Sequence, residues 1–196
     1  MGASYVAIAC SLDALASVHC SRDEALFARV LSARDTQVRH YLDAGSRRGG
    51  RAPADLLAEI FRGAPLTASP PHGYAYTLLA CAYVLGVGVG AYDCSYGRAG
   101  NLTAALGALG EPEEAVPLFM DEWPLPDLAP EEGPWCATLP ADKVARLATE
   151  TRALVERVRP ALIAKGDDLS LDLLVFFTEC YEAATQRGAD LFMVSH

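Results

Sequence analysis

The chain has 196 residues, 52% of them hydrophobic and 21% charged, and a net charge of −9. A chain of this size buries roughly 70% of its unfolded surface and can hold a core without disulfides or metal, and its composition excludes disorder over the chain as a whole. No basic residue lies between Arg98 and Lys143, where eight carboxylates from Glu111 to Glu132 fall; such a surface repels phosphate backbones and anionic membranes, so nucleic-acid binding is disfavoured.

Ser4 to Cys10 is short, apolar and partly β-branched, which predicts a buried strand. Ser11 follows as a helix cap, with Asp13 in the first turn near the positive end of the dipole. Ser21 is read as the start of a second helix, with Glu24 at the capping-box position. Its face of Leu26, Phe27, Val30 and Leu31 extends through Val38 to Leu42, ahead of Gly45. Ala54 to Phe61 is a short amphipathic helix opened by Pro53 and closed at Gly63, and Pro65 to His72 is a turn-rich connector.

The centre of the chain is apolar. From Tyr74 to Tyr92 there is no charge, a run about long enough to cross a bilayer. The glycines at 86, 88 and 90, four tyrosines and the lack of basic flanks favour a buried helix over Tyr74–Leu85 followed by a turn. Asn101 then caps a helix through Leu109. Seven of the twelve prolines fall between Pro112 and Pro140, leaving little room for regular structure. Phe119, Trp123, Leu125, Leu128 and Trp135 give this acidic segment, about 111–140, the apolar anchors of an ordered surface arm. Pro140 with Asp142 opens a helix to Val158, and Leu169–Thr185 is the last helix, with Gly188 at a C′ position. Asp190 to Ser195 is a closing strand. Strands at both ends need partners, because unpaired edges are costly. The reading is a mostly helical α+β single domain whose small sheet includes both terminal strands.

Six cysteines, at 10, 20, 81, 94, 136 and 180, contain no CxxC doublet, so neither a zinc site nor a redox motif is read, and no cofactor or metal is expected. Free thiols place the chain in a reducing cytoplasm. Cys94 and Cys136 are read as the most exposed thiols, yet neither has a histidine near it in sequence. No GxSxG elbow is present.

Candidate site residues gather around the end of the apolar run. His72 precedes the helix, and Asp93, Tyr96 and Arg98 follow it in a glycine-studded turn. If the chain folds back, they suit acid/base chemistry or anion binding; the plainer alternative pairs Asp93 with Arg98 and packs Tyr96 on the rim. Gly86, Gly88 and Gly90 follow a helix, whereas a dinucleotide loop needs strand, GxGxxG and helix in that order. Asp121 and Glu122, with Glu113 and Glu114, lack a histidine or asparagine at ligand spacing and read as a solvated acidic arm. Trp123 and Trp135 within that arm suit a protein interface.

Three segments, SYVAIACSLDAL with RDEAL behind it, GYAYTLLACAYVLG, and FFTECYEAATQRGADLFMVSH, together resemble an uncharacterised bacterial family of the YfbM-like kind. The resemblance implies a small cytoplasmic α+β protein without an established activity and, by fold-level analogy, an immunity or toxin-neighbourhood protein. The leading expectation is a non-catalytic binding protein whose acidic, aromatic surface (Asp121, Glu122, Trp123, Trp135) meets a basic protein partner, with no membrane or nucleic acid involved. The alternative is a small-molecule enzyme built on His72, Asp93, Tyr96 and Arg98. A third option is an oligomerising domain with a large apolar two-fold interface.

Overall fold

A computed structural model of the chain describes residues 2–63, 72–95, 98–112, 116, 124–125 and 134–195. Strand β1 (Gly2–Cys10) is followed by five helices, α1 (Leu12–Ala16), α2 (Glu24–Leu31), α3 (Thr36–Gly49), α4 (Pro53–Arg62) and α5 (His72–Leu85). Strand β2 (Val87–Ser95), helix α6 (Arg98–Gly107), strand β3 (Trp135–Leu139), helices α7 (Ala141–Ala164) and α8 (Asp168–Thr185), and strand β4 (Asp190–Ser195) complete the order. The sheet is antiparallel throughout, with strand order β2-β1-β4-β3; it includes both terminal strands, as expected, and pairs them with each other at its centre.

Both faces of this sheet are covered, which explains the near-continuous apolar character of β1. Val6, Ile8 and Cys10 point to one side with Phe192 and Val194, and pack against residues of α1 to α5. Tyr5, Ala7 and Ala9 point to the other with Leu191 and Met193, and pack against α6, α7 and α8. The side-chain period of two thus sorts the helices before β2 onto one face and those after it onto the other. Asp190 ties the layers together. Its carboxylate accepts from the Leu12 N–H at 2.9 Å and from the Ala141 N–H at 2.9 Å, satisfying the first amide of α1 on one face and of α7 on the other.

Several elements differ from the sequence reading. The single helix expected from Ser21 to Leu42 is two helices. Asp23, not Ser21, caps the first by accepting from the Leu26 N–H at 2.9 Å, and Asp35 caps the second by accepting from the Gln37 and Val38 N–H groups. Two competing caps outweigh an unbroken apolar stripe. Helix α6 begins at Arg98, leaving Asn101 inside it and exposed rather than at its cap. In the proline-rich arm, the proline-free run between Pro134 and Pro140 forms β3 at the sheet edge, where flanking prolines cost no ladder bonds. Helix α7 passes Val158 and carries Pro160 inside, because Leu162 continues the buried stripe of Leu154, Val155 and Val158.

The glycine segment after α5 is also not a turn. It is strand β2, and each glycine admits a neighbour that a side chain would displace. A Cβ on Gly88 would lie 2.9 Å from the Tyr83 ring, and one on Gly90 would lie 2.5 Å from Cys180 Sγ and 2.8 Å from the Phe176 ring. Gly86 is pressed against the Ala9 carbonyl and Cys10. The register also shifts between Ala7 and Ile8, which leaves Val89 without a partner as a bulge. No helix among the described residues is long and apolar enough to cross a membrane.

Candidate functional site

Of the four residues expected near the central helix, Asp93 is the one whose side chain is described. His72 is the first residue of α5 and Arg98 the first of α6, but their side chains are outside the described set, as is all of Tyr96. Asp93 is in β2, not in a turn. Because β2 doubles back along β1, Asp93 stands opposite Ser4 and accepts its hydroxyl hydrogen, with its own side chain exposed. Asp93 is therefore the one member of the group whose placement defines a surface.

Next to Asp93 along β2 is a groove of about 490 Å³ between the start of α3, the end of α5 and the edge of β2. Asp35 and Gln37 line it from α3, Tyr83 from α5, and Gly86, Val87, Gly88, Gly90 and Ala91 from the following segment. Asp93 continues the same sheet face beyond Ala91, since their partners Ser4 and Val6 alternate with Tyr5. Below the groove three tyrosines stack. Tyr41 lies between Tyr76, at 6.3 Å and 18°, and Tyr83, at 5.6 Å and 24°. His40 meets Tyr41 edge-on at 5.2 Å.

Burial pushes the Tyr83 phenol up, and the Asp35 carboxylate pushes it further. Burial likewise raises Tyr41, with smaller contributions from Tyr83, Tyr76 and Asp93, and burial raises Tyr76 against a smaller lowering by the Arg48 guanidinium. The phenols are neutral at neutral pH, so they serve as hydrogen-bonding and stacking groups rather than as bases. Among the described residues lining the groove the one formal charge is Asp35, and no cation is present. An open groove of this sign, with Tyr83 in its wall, accommodates positive groups and opposes anions.

Elsewhere, charged groups are already engaged. A cavity of about 360 Å³ along α7 is lined by Arg146, Glu150 and Arg157, but Arg146 pairs with Glu150 at 3.7 Å and Arg157 with Glu111 at 2.7 Å. The guanidinium of Arg157 donates to Glu111 and holds that carboxyl below its usual range. Glu59, buried at 7% exposure, accepts from the Tyr74 hydroxyl and pairs with Arg51 at 3.1 Å, a buried charge compensated within α4, α5 and the turn before α4.

Three of the cysteines are held as protonated thiols. Burial pushes the Cys10, Cys81 and Cys180 thiols up to about 12, aided at Cys10 by Asp190 and at Cys180 by Glu179. Cys136, expected among the more exposed thiols, is fully buried because β3 turns it into the core beside Val194, while Cys20 is exposed. The Cys94 side chain lies outside the described residues. Among the described residues no group of three or more metal-ligating side chains comes together.

Of the acidic arm, Asp121, Glu122 and Trp123 lie outside the described residues. Its described positions are anchored inward: Val116 is buried in the cluster with α6 to α8, and Leu125 in the cluster on the opposite sheet face. Trp135 opens β3 opposite Ser195 and is half-buried. Sequence reasoning missed Asp35, Gln37, Tyr41 and Tyr83. The available signals were Tyr76 and Tyr83 two turns apart on one face of α5, and an aspartate placed to start a helix.

The chain belongs to a family described as a domain of unknown function, DUF7691, which it matches over residues 1–196. No curated protein and no solved structure matches it.

Proposed function

We propose that this member of the DUF7691 family is a non-catalytic, immunity-type binding protein of a bacterial cytoplasm, which captures a basic protein partner in the groove between α3, α5 and β2. The observation that carries the reading is the groove itself: open, lined by Asp35 and by Tyr83 of a neutral tyrosine stack, continued on the same sheet face by exposed Asp93, and without a cation among its described lining residues. The net charge of −9 adds a long-range attraction for the same kind of partner and a repulsion for nucleic acid. Five described cysteines are free, in keeping with a reducing compartment. The immunity role and the YfbM-like bacterial kinship rest on the resemblance of the opening, central and closing segments of the chain and on fold-level analogy.

The two carboxylates provide the test. Asp35→Asn retains a helix cap, since asparagine caps as well as aspartate, and Asp93→Asn retains an acceptor for Ser4. The partner captured from extract at low salt is identified and titrated against both proteins. The double variant should melt with the wild type and bind about tenfold more weakly, and wild-type affinity should fall as salt rises. A partner indifferent to both salt and the double substitution contradicts the reading.

A further inference from the structure

We propose that the partner enters this groove as an extended segment that adds a strand to the outer edge of β2. The inference rests on the binding reading above and specifies its mode. In the order β2-β1-β4-β3, strand β2 is at one end, and among the described residues it pairs with β1 alone. Natural sheets blunt such edges with lysine, proline or a covering element. From Val87 to Ser95 there is neither lysine, arginine nor proline. The groove runs along this edge: five consecutive-region residues, Gly86 to Gly88, Gly90 and Ala91, line it, and Val87 is 51% exposed.

The bulge at Val89 interrupts the edge, so the added strand pairs along the unbulged run from Gly90 toward Asp93 and its end reaches Asp35. Side chains of an added strand alternate between the two sheet faces. Those on the face of Ala91 and Asp93 meet Asp35, Asp93 and Tyr83, and there the segment is basic. Those on the face of Gly90 and Tyr92 meet the side where Phe176 lies 5.3 Å from Tyr92, and there it is apolar. The occupant is thus a protein segment alternating basic and apolar residues. A second copy of the chain fits poorly, because its β2 brings another Asp93 and no cation to the same edge.

The probe is a capped peptide of alternating arginine and valine, titrated into the isotopically labelled chain and followed by amide exchange and intermolecular NOEs. The expected result is binding weakened about tenfold by D35N/D93N, with alternate amides of Gly90–Ser95 gaining at least tenfold protection and cross-strand NOEs to the peptide. Binding that is sensitive to D35N/D93N but leaves the β2 amides unchanged overturns strand addition while the binding reading stands. A peptide that does not bind at all also overturns strand addition, and the broader reading then rests on the captured partner. Concentration-dependent protection of β2 in the free chain assigns the edge to a second copy and overturns the proposal as well.

Discussion

Removing residues 190–196 is expected to abolish the fold rather than weaken it. Strand β4 lies between β1 and β3, so its loss leaves β3 without a partner and opens one side of β1. Leu191, Phe192, Met193 and Val194 are fully buried, two on each face of the sheet. At about 1.5–3 kcal/mol for each buried side chain, their loss removes about 6–12 kcal/mol, comparable with the whole stability of an ordinary domain. Asp190 goes with them, and with it the acceptor for the first amides of α1 and α7. The truncated chain should show no cooperative thermal transition by circular dichroism. A cooperative melt at the wild-type temperature contradicts a central β4.

Gly73→Val should cost about 3 kcal/mol, near the upper end of ordinary overpacking. A Cβ at Gly73 would stand 2.8 Å from Gly49 Cα and 3.0 Å from the Gly45 carbonyl oxygen, all backbone of α3. Backbone cannot rotate aside as a flexible side chain does, so the two helices must separate. The effect is transmitted to the groove, because Tyr41 on α3 and Tyr76 and Tyr83 on α5 stack across the same interface. Denaturant midpoints measure the stability change, and partner affinity should fall with it. A midpoint shift equivalent to less than about 0.5 kcal/mol, the range of ordinary surface substitutions, contradicts the close crossing of α3 and α5.

Much of the architecture was legible in local patterns. The terminal strands read correctly because Ser4–Cys10 and Asp190–Ser195 are short apolar runs bounded by a helix cap and a glycine turn. The class followed, since two terminal strands amid helices require a shared sheet. The inner features were hidden by residues whose usual meaning is local. Glycines at 86, 88 and 90 signal a turn in sequence, yet here they make room for Ala9, Tyr83 and Cys180, contacts that only the folded chain reveals. Prolines at 134 and 140 mask the strand between them. The continuous apolar stripe from Leu26 to Leu42 conceals the break that Asp35 imposes.

The groove was hardest to foresee. Asp35, Tyr83, Gly88 and Asp93 are brought together by α3–α5 packing and by the return of β2 along β1, and nothing in their spacing encodes that meeting. Of the residues singled out in advance, Asp93 lies on this sheet face because it pairs opposite Ser4, whereas Tyr96 and the Arg98 side chain lie outside the described residues. The acidic balance was legible from composition. Its focus at the start of α3 was not.

The most direct test of the central claim is hydrogen exchange on the full-length protein, alone and saturated with its captured partner. The account predicts slowed exchange in two separated stretches, residues 35–41 and 86–93, which line or support the groove. Protection confined to residues 112–134, or to the turn between α7 and α8 where Ile163 and Leu169 are exposed, contradicts it.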